Sequence, residues 1–131
     1  MIKLEQIDHV ALRCPSPEAT KEWYVNTLGF EHVFPDQWGG IPIVLRLGST
    51  LITLFPQKEN EPPPANGRAW HLALRAATYA DFQSAQTELH ARGVSFQFSD
   101  HDIAHSIYFF DPDGFLLEIT TYDLPAKSEQ A

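Results

Sequence analysis

His9-Val10-Ala11-Leu12-Arg13 and His71-Leu72-Ala73-Leu74-Arg75 are near copies of one pentapeptide, the second beginning 62 positions after the first. Each opens an alternating run of strand character that leads into a run of helical character, so the chain reads as one module written twice. In both copies the histidine stands two residues before an alanine. Alternation therefore places the imidazole, the alanine and the closing arginine on one face of the strand. Two equivalent histidines aimed to the same side of their sheets suit a metal ion.

Working outward, residues 5 to 13 read as a strand with Ile7, His9, Ala11 and Arg13 on one face and Asp8, Val10 and Leu12 on the other. Ser16-Pro17-Glu18 supplies a cap and a first-turn proline, Ala19, Trp23 and Leu28 recur near helical spacing, and Gly29 is the stop. Strands are expected at about residues 30 to 35, 41 to 47 and 50 to 55, with turns at Gly39-Gly40 and Gly48-Ser49. The text changes between 56 and 68, where Pro62-Pro63-Pro64 and Asn66-Gly67 mark a connection. The order then repeats. A strand at 69 to 75 leads to a helix capped by Thr78, lined by Phe82, Ala85 and Leu89 and ended by Gly93. Strands at about 94 to 98, 105 to 110 and 115 to 121 follow, the last two joined by Asp111-Pro112-Asp113-Gly114, and a loose tail begins after Tyr122. The expected fold class is α+β: a single domain of two paired βαβββ modules, about 5–55 and 69–122, forming a cupped mixed sheet with the helices outside.

At 131 residues, 44% apolar and 12% aromatic, the chain can build a real core. A net charge of −8 with only nine Lys and Arg, scattered, argues against nucleic acid and anionic membranes and for small-molecule chemistry. No apolar run reaches the roughly 20 residues of a bilayer span, and Met1-Ile2-Lys3-Leu4-Glu5 does not begin a signal sequence, so a cytoplasmic location is expected. Cys14, the only cysteine, fits a reducing compartment and reads as a small buried thiol.

Glu118 puts a carboxylate in the middle of the apolar strand Leu116-Leu117-Glu118-Ile119-Thr120, which is costly without a partner or a cation. With His9 and His71 it completes a set of two imidazoles and one carboxylate. That set is associated with Fe(II) oxygenases and is acceptable to Mn, Ni, Co or Zn. Counting from the two histidines, the counterpart of Glu118 in the first module falls near Thr53, a poor ligand, so the site is expected to stay open.

Asp8-His9-Val10-Ala11-Leu12, Trp23-Tyr24 through Leu28-Gly29-Phe30, His71-Leu72-Ala73-Leu74, and Tyr108-Phe109-Phe110-Asp111-Pro112-Asp113-Gly114 with Glu118 together resemble the vicinal oxygen chelate superfamily over residues 5 to about 122. The superfamily includes glyoxalase I, type I extradiol dioxygenases, and fosfomycin- and bleomycin-resistance proteins. The resemblance implies a divalent metal on His9, His71 and Glu118, a small-molecule substrate and a homodimer. Glyoxalase I carries a second glutamate where this chain has Thr53. Fosfomycin-type thiol transferases carry a threonine and a lysine where it has Ala11 and Phe98. His101, Ile107, Tyr108, Asp111, Pro112, Gly114 and Glu118 match the spacing of the extradiol signature, although Phe98 replaces its leading glycine.

The favoured expectation is thus an extradiol-dioxygenase-like enzyme using Fe(II) on a substrate with neighbouring oxygens. His101 or His105 would be its acid and base, Tyr108 a hydrogen-bond donor, and Leu51, Thr53, Phe55 and Phe110 the pocket wall. The alternatives are a glyoxalase-like lyase or isomerase, a thiol transferase, and a metal-free protein that sequesters a planar ligand.

Overall fold

Two βαβββ units follow one another along the chain in a computed structural model that describes Met1, Lys3, residues 5–59 and residues 71–126. The compact units are Met1–Pro63 and Pro64–Ala131. Each carries one four-stranded mixed sheet and one α-helix, an α+β arrangement. No helix among the described residues is long and apolar enough to cross a membrane.

In the first unit β1 (His9–Cys14), α1 (Pro17–Leu28), β2 (Glu31–Val33), β3 (Ile43–Leu47) and β4 (Thr50–Pro56) form a sheet of order β1-β4-β3-β2, with β1 parallel to β4. Ser16 caps α1 by accepting from the Ala19 amide at 3.3 Å, and Gly29 ends it at φ 78°, where a side chain would be strained. The buried stripe of α1 is Thr20 and Tyr24 rather than Ala19 and Trp23. The Tyr24 ring meets Phe30 edge-on at 5.5 Å, and this contact sets the helix rotation. Leu45, Ile52 and Leu54 complete the core under the helix. β1 starts at His9 and not at residue 5, because its partner β4 begins pairing at Leu51.

The second unit repeats the order with β5 (Leu72–Arg75), α2 (Tyr79–Ala91), β6 (Gln97–Asp100), β7 (His105–Phe110) and β8 (Leu116–Thr121), arranged β5-β8-β7-β6. Thr78 caps α2 by accepting from the Asp81 amide at 3.0 Å, and Phe82 and Leu89 are its buried residues. β6 lies three residues later than the sequence predicts at its start. The turn after it closes with the His101 amide donating to the Ala104 carbonyl at 2.8 Å, so pairing with β7 runs out to Asp100. The chain past β8 is tied down at first: Asp123 Oδ2 accepts from the Tyr79 amide at 3.0 Å, and Arg75 lies 5.1 Å over the Tyr122 ring. Most of the expected connection, the start of the strand expected at 69, and residues 127–131 lie outside the described residues.

The Asp111–Gly114 turn decides the register that matters. Asp111 Oδ1 accepts from the Asp113 and Phe115 amides at 2.9 and 2.8 Å, and Gly114 turns at φ 82°. With the turn fixed, Phe110 opposes Leu116, Tyr108 opposes Glu118 and Ser106 opposes Thr120. A slip of one residue would move all of them to the other face.

Candidate active site

Strand alternation in the second unit sorts its side chains onto two faces. β5 and β8 pair in parallel with Ala73 opposite Glu118, and the β7–β8 pairing puts Tyr108 across from Glu118 on the other side. The face away from α2 therefore carries Glu118, Tyr108, Ser106 and Phe110, with His71 two residues before Ala73. The opposite face carries Ile107, Phe109, Leu117 and Ile119, all buried in the core.

Glu118 is 8% exposed, and both of its oxygens have partners. His71 Nε2 donates to Oε1 at 3.0 Å, and Ser106 Oγ donates to Oε2 at 2.6 Å. Ser106, fully buried, also lies 3.0 Å from Thr120 Oγ1, whose hydroxyl donates to the His105 carbonyl at 3.2 Å. Two charge-assisted hydrogen bonds offset the desolvation that an isolated carboxylate would suffer here.

Tyr108 stands next in the row. Its ring meets His71 edge-on at 5.8 Å, and its hydroxyl lies 2.9 Å from His101 Nε2. Burial, reinforced by the adjacent Glu118 carboxylate, pushes the Tyr108 phenol above its ordinary pKa, against a smaller opposing pull from the Ser106 hydroxyl. The phenol is thus held neutral, as a donor. Beside this row is a cleft of about 710 Å³ lined by His71, Phe96, Gln97, Tyr108, Phe110 and Leu116 among others. Its walls are largely aromatic and aliphatic, with few polar groups converging on them, as in small-molecule sites.

His105 does not share this face. It lies three residues from Tyr108 on the same strand, so alternation turns it under α2. There it is 9% exposed, with Nδ1 3.3 Å from the Tyr79 hydroxyl and Nε2 3.5 Å from Asp100 Oδ1. Its ring packs edge-on against Phe98 at 5.0 Å. Of the two histidines expected as acid and base, His101 reaches Tyr108, and His105 lies on the opposite face of the sheet.

In the first unit, β1 pairs with β4 so that His9 opposes Leu51, Ala11 opposes Thr53 and Arg13 opposes Phe55. His9, Leu51, Thr53 and Phe55 thereby share the face away from α1. His9 Nδ1 is 2.8 Å from Asp8 Oδ2, a contact that engages one ring nitrogen and leaves Nε2 outside it. Thr53 stands opposite Ala11 just as Glu118 stands opposite Ala73, so the two occupy corresponding positions in their units. Among the described residues no group of three or more His, Cys, Asp or Glu side chains is gathered to hold a metal. The structure brings His71 and Glu118 together, and His9 lies in the other unit.

Ser106 is the residue that sequence reading missed. The signal was present: a serine two positions before Tyr108, on the same face of an otherwise apolar and aromatic strand. Asp8, which the sequence places on the face opposite His9, instead contacts the His9 ring.

Two consecutive βαβββ units, the second with a buried carboxylate held by a histidine on the sheet face away from its helix, define the paired-module fold class. The chain belongs to the Glyoxalase/Bleomycin resistance protein/Dioxygenase superfamily, whose model matches residues 6–119. It is 32% identical to the uncharacterized protein YwkD of Bacillus subtilis (strain 168), over 88% of this chain and 96% of that protein. A glyoxalase/dioxygenase from Nostoc punctiforme has a TM-score of 0.75 at 25% identity, with 92% of each chain covered. Lactoylglutathione lyase from Agrobacterium tumefaciens has a TM-score of 0.72 at 22% identity, over 90% of this chain and 94% of that one, a likeness of fold alone.

Proposed function

We propose that the chain is a divalent-metal-dependent enzyme that acts on a small substrate with neighbouring oxygen atoms, and that its reaction is extradiol-dioxygenase-like. The observation that carries this reading is the buried Glu118, bonded to His71 at 3.0 Å and standing across from the Tyr108 and His101 pair. The donor chemistry fits a divalent cation: one hard carboxylate and two borderline imidazoles suit Fe(II), which we favour, and Mn, Ni, Co or Zn. His9, His71 and Glu118 would hold the ion. Bound there, it would act as a Lewis acid that lowers the pKa of substrate hydroxyls and leaves positions open.

The chain's own residues do the rest. Ser106 fixes the Glu118 carboxylate through Oε2, leaving Oε1, now shared with His71, for the cation. Tyr108, kept neutral, presents its O–H both to the cleft and to His101 Nε2. His101 is exposed, so a proton taken from a substrate hydroxyl at the Tyr108 end can pass to Nε2 and exchange with water. Phe96, Phe110 and Leu116 line the cleft beside His71 and Tyr108 and would pack against a planar substrate there.

The test is anaerobic loading with Fe(II) followed by oxygen uptake with a panel of catechols. Uptake that falls about 10²- to 10⁴-fold in His101→Ala supports the assignment. No uptake with any catechol at full metal occupancy refutes the dioxygenase reading. The aromatic lining of the cleft favours a second reading, sequestration of a planar ligand without chemistry, in which binding persists in His71→Ala.

A further inference from the structure

Thr53 Oγ1 is the only buried side-chain nitrogen or oxygen among the described residues that has no hydrogen-bond partner. The residue is 6% exposed in the middle of β4. Its flanking strand neighbours explain why no partner is at hand: Ala11 on β1 and Val44 on β3 offer a methyl and an isopropyl group. The adjacent β4 residues Ile52 and Leu54 fill the core under α1, so Thr53 faces the other way, with His9, Leu51 and Phe55. A buried hydroxyl without a partner costs stability, and valine would fill the same volume at no such cost. Threonine here is a liability that a hydrogen-bonding partner from outside the protein would relieve. Its place in the first sheet corresponds to that of Glu118 in the second, the position that bears the polar group of the site.

We propose that the Thr53 hydroxyl is a ligand-binding group that donates a hydrogen bond to an oxygen of the bound small molecule. This rests on the proposed function, in which the sheet face that carries His9 and Thr53 takes part in the substrate site. It goes further in naming a neutral donor, with no charge and little affinity for a cation, as the group that selects a ligand carrying an oxygen acceptor there. A carboxylate at this position would attract a cation and repel an anionic substrate oxygen. The hydroxyl does neither.

The experiment compares Thr53→Val and Thr53→Ser with the wild-type chain, using Co(II) alone and nitrocatechol, with and without Co(II), as probes. Without ligand, Thr53→Val melts at or above the wild-type temperature, since no internal bond is lost. A fall of more than about 3 °C means the hydroxyl has a partner inside the protein and overturns the proposal. With ligand, Thr53→Val weakens nitrocatechol binding by about 3- to 10-fold while Thr53→Ser stays near wild type. Co(II) affinity is unchanged in Thr53→Val; an equal loss of Co(II) affinity would overturn the proposal by placing Thr53 at the cation. Nitrocatechol binding that is absent in the wild type, or equal in wild type and Thr53→Val, also overturns it. If the wild type takes no Co(II) yet nitrocatechol binding still depends on the hydroxyl, the metalloenzyme reading fails and the role of Thr53 stands.

Discussion

Ser106→Ala removes one hydroxyl from a fully buried position and leaves Glu118 Oε2 without the donor that stands 2.6 Å away. Glu118 is 8% exposed, so water cannot readily take the place of that donor. A hydrogen bond to a charged group contributes about 1.5–3 kcal/mol, and the loss of one partner of a buried pair falls toward the upper half of that range. We expect a loss of about 2 kcal/mol. For a chain of 131 residues, between the size classes for which the shift per kcal/mol is known, this amounts to roughly 6–10 °C in Tm. The assay is urea unfolding of the metal-free protein, followed by circular dichroism, in a double-mutant cycle with Glu118→Met. Methionine has a similar volume and no charge, so Ser106→Ala should cost about 0.5 kcal/mol or less in that background. A cost below about 0.5 kcal/mol in the wild-type background as well would mean that Ser106 does not hold the carboxylate, and the account of how Glu118 is buried would be wrong.

The Tyr108 phenol, followed by phenolate absorbance during an alkaline titration, should ionise above 10.0 in the wild type and closer to it in Glu118→Gln, because burial remains while the repelling carboxylate is gone. The folded state keeps this proton to higher pH than the unfolded chain does. The stability it contributes is therefore whole below pH about 10 and is lost as pH rises through the folded pKa, less steeply in Glu118→Gln. His105→Ala should cost about 2–3 kcal/mol in urea unfolding and leave ligand affinity near wild type, since the ring fills space among Tyr79, Phe82 and Phe98; His101→Ala should do the reverse. Gly114→Val should cost about 1–2 kcal/mol, because a β-branched residue resists the φ of 82° that the turn requires; an unchanged Tm would show that the turn does not depend on glycine.

The fold was legible because the repeat, the caps and the turns all pointed one way. Ser16, Thr78, Gly29 and Asp111–Gly114 act where their chemistry says they should. The misses have local causes. The buried stripe of α1 shifted by one residue because the amphipathic signal is weak and the aromatic contact of Tyr24 with Phe30 overrode it. β6 was set too early because Asp102 supports the closing turn at a positive φ of 69°, which no glycine advertised. At the site, period-two alternation alone would have separated His105 from Tyr108 and put Ser106 on the Tyr108 face. Which of those side chains touch depended on the β7–β8 register, which the turn fixes and the pattern does not display. Thr53 could be matched to Glu118 by counting, but its unpartnered hydroxyl emerged only when Ala11 and Val44 were found on either side.

The most direct test of the central claim is the metal content per chain after anaerobic incubation with Fe(II), measured for the wild type, His9→Ala, His71→Ala and Glu118→Gln after removal of unbound metal. Near one ion per wild-type chain is expected, with a loss of at least about tenfold in affinity in each variant, as when one of three ligands is removed. Wild-type protein that takes up no metal, or full occupancy that survives all three substitutions, would contradict that claim.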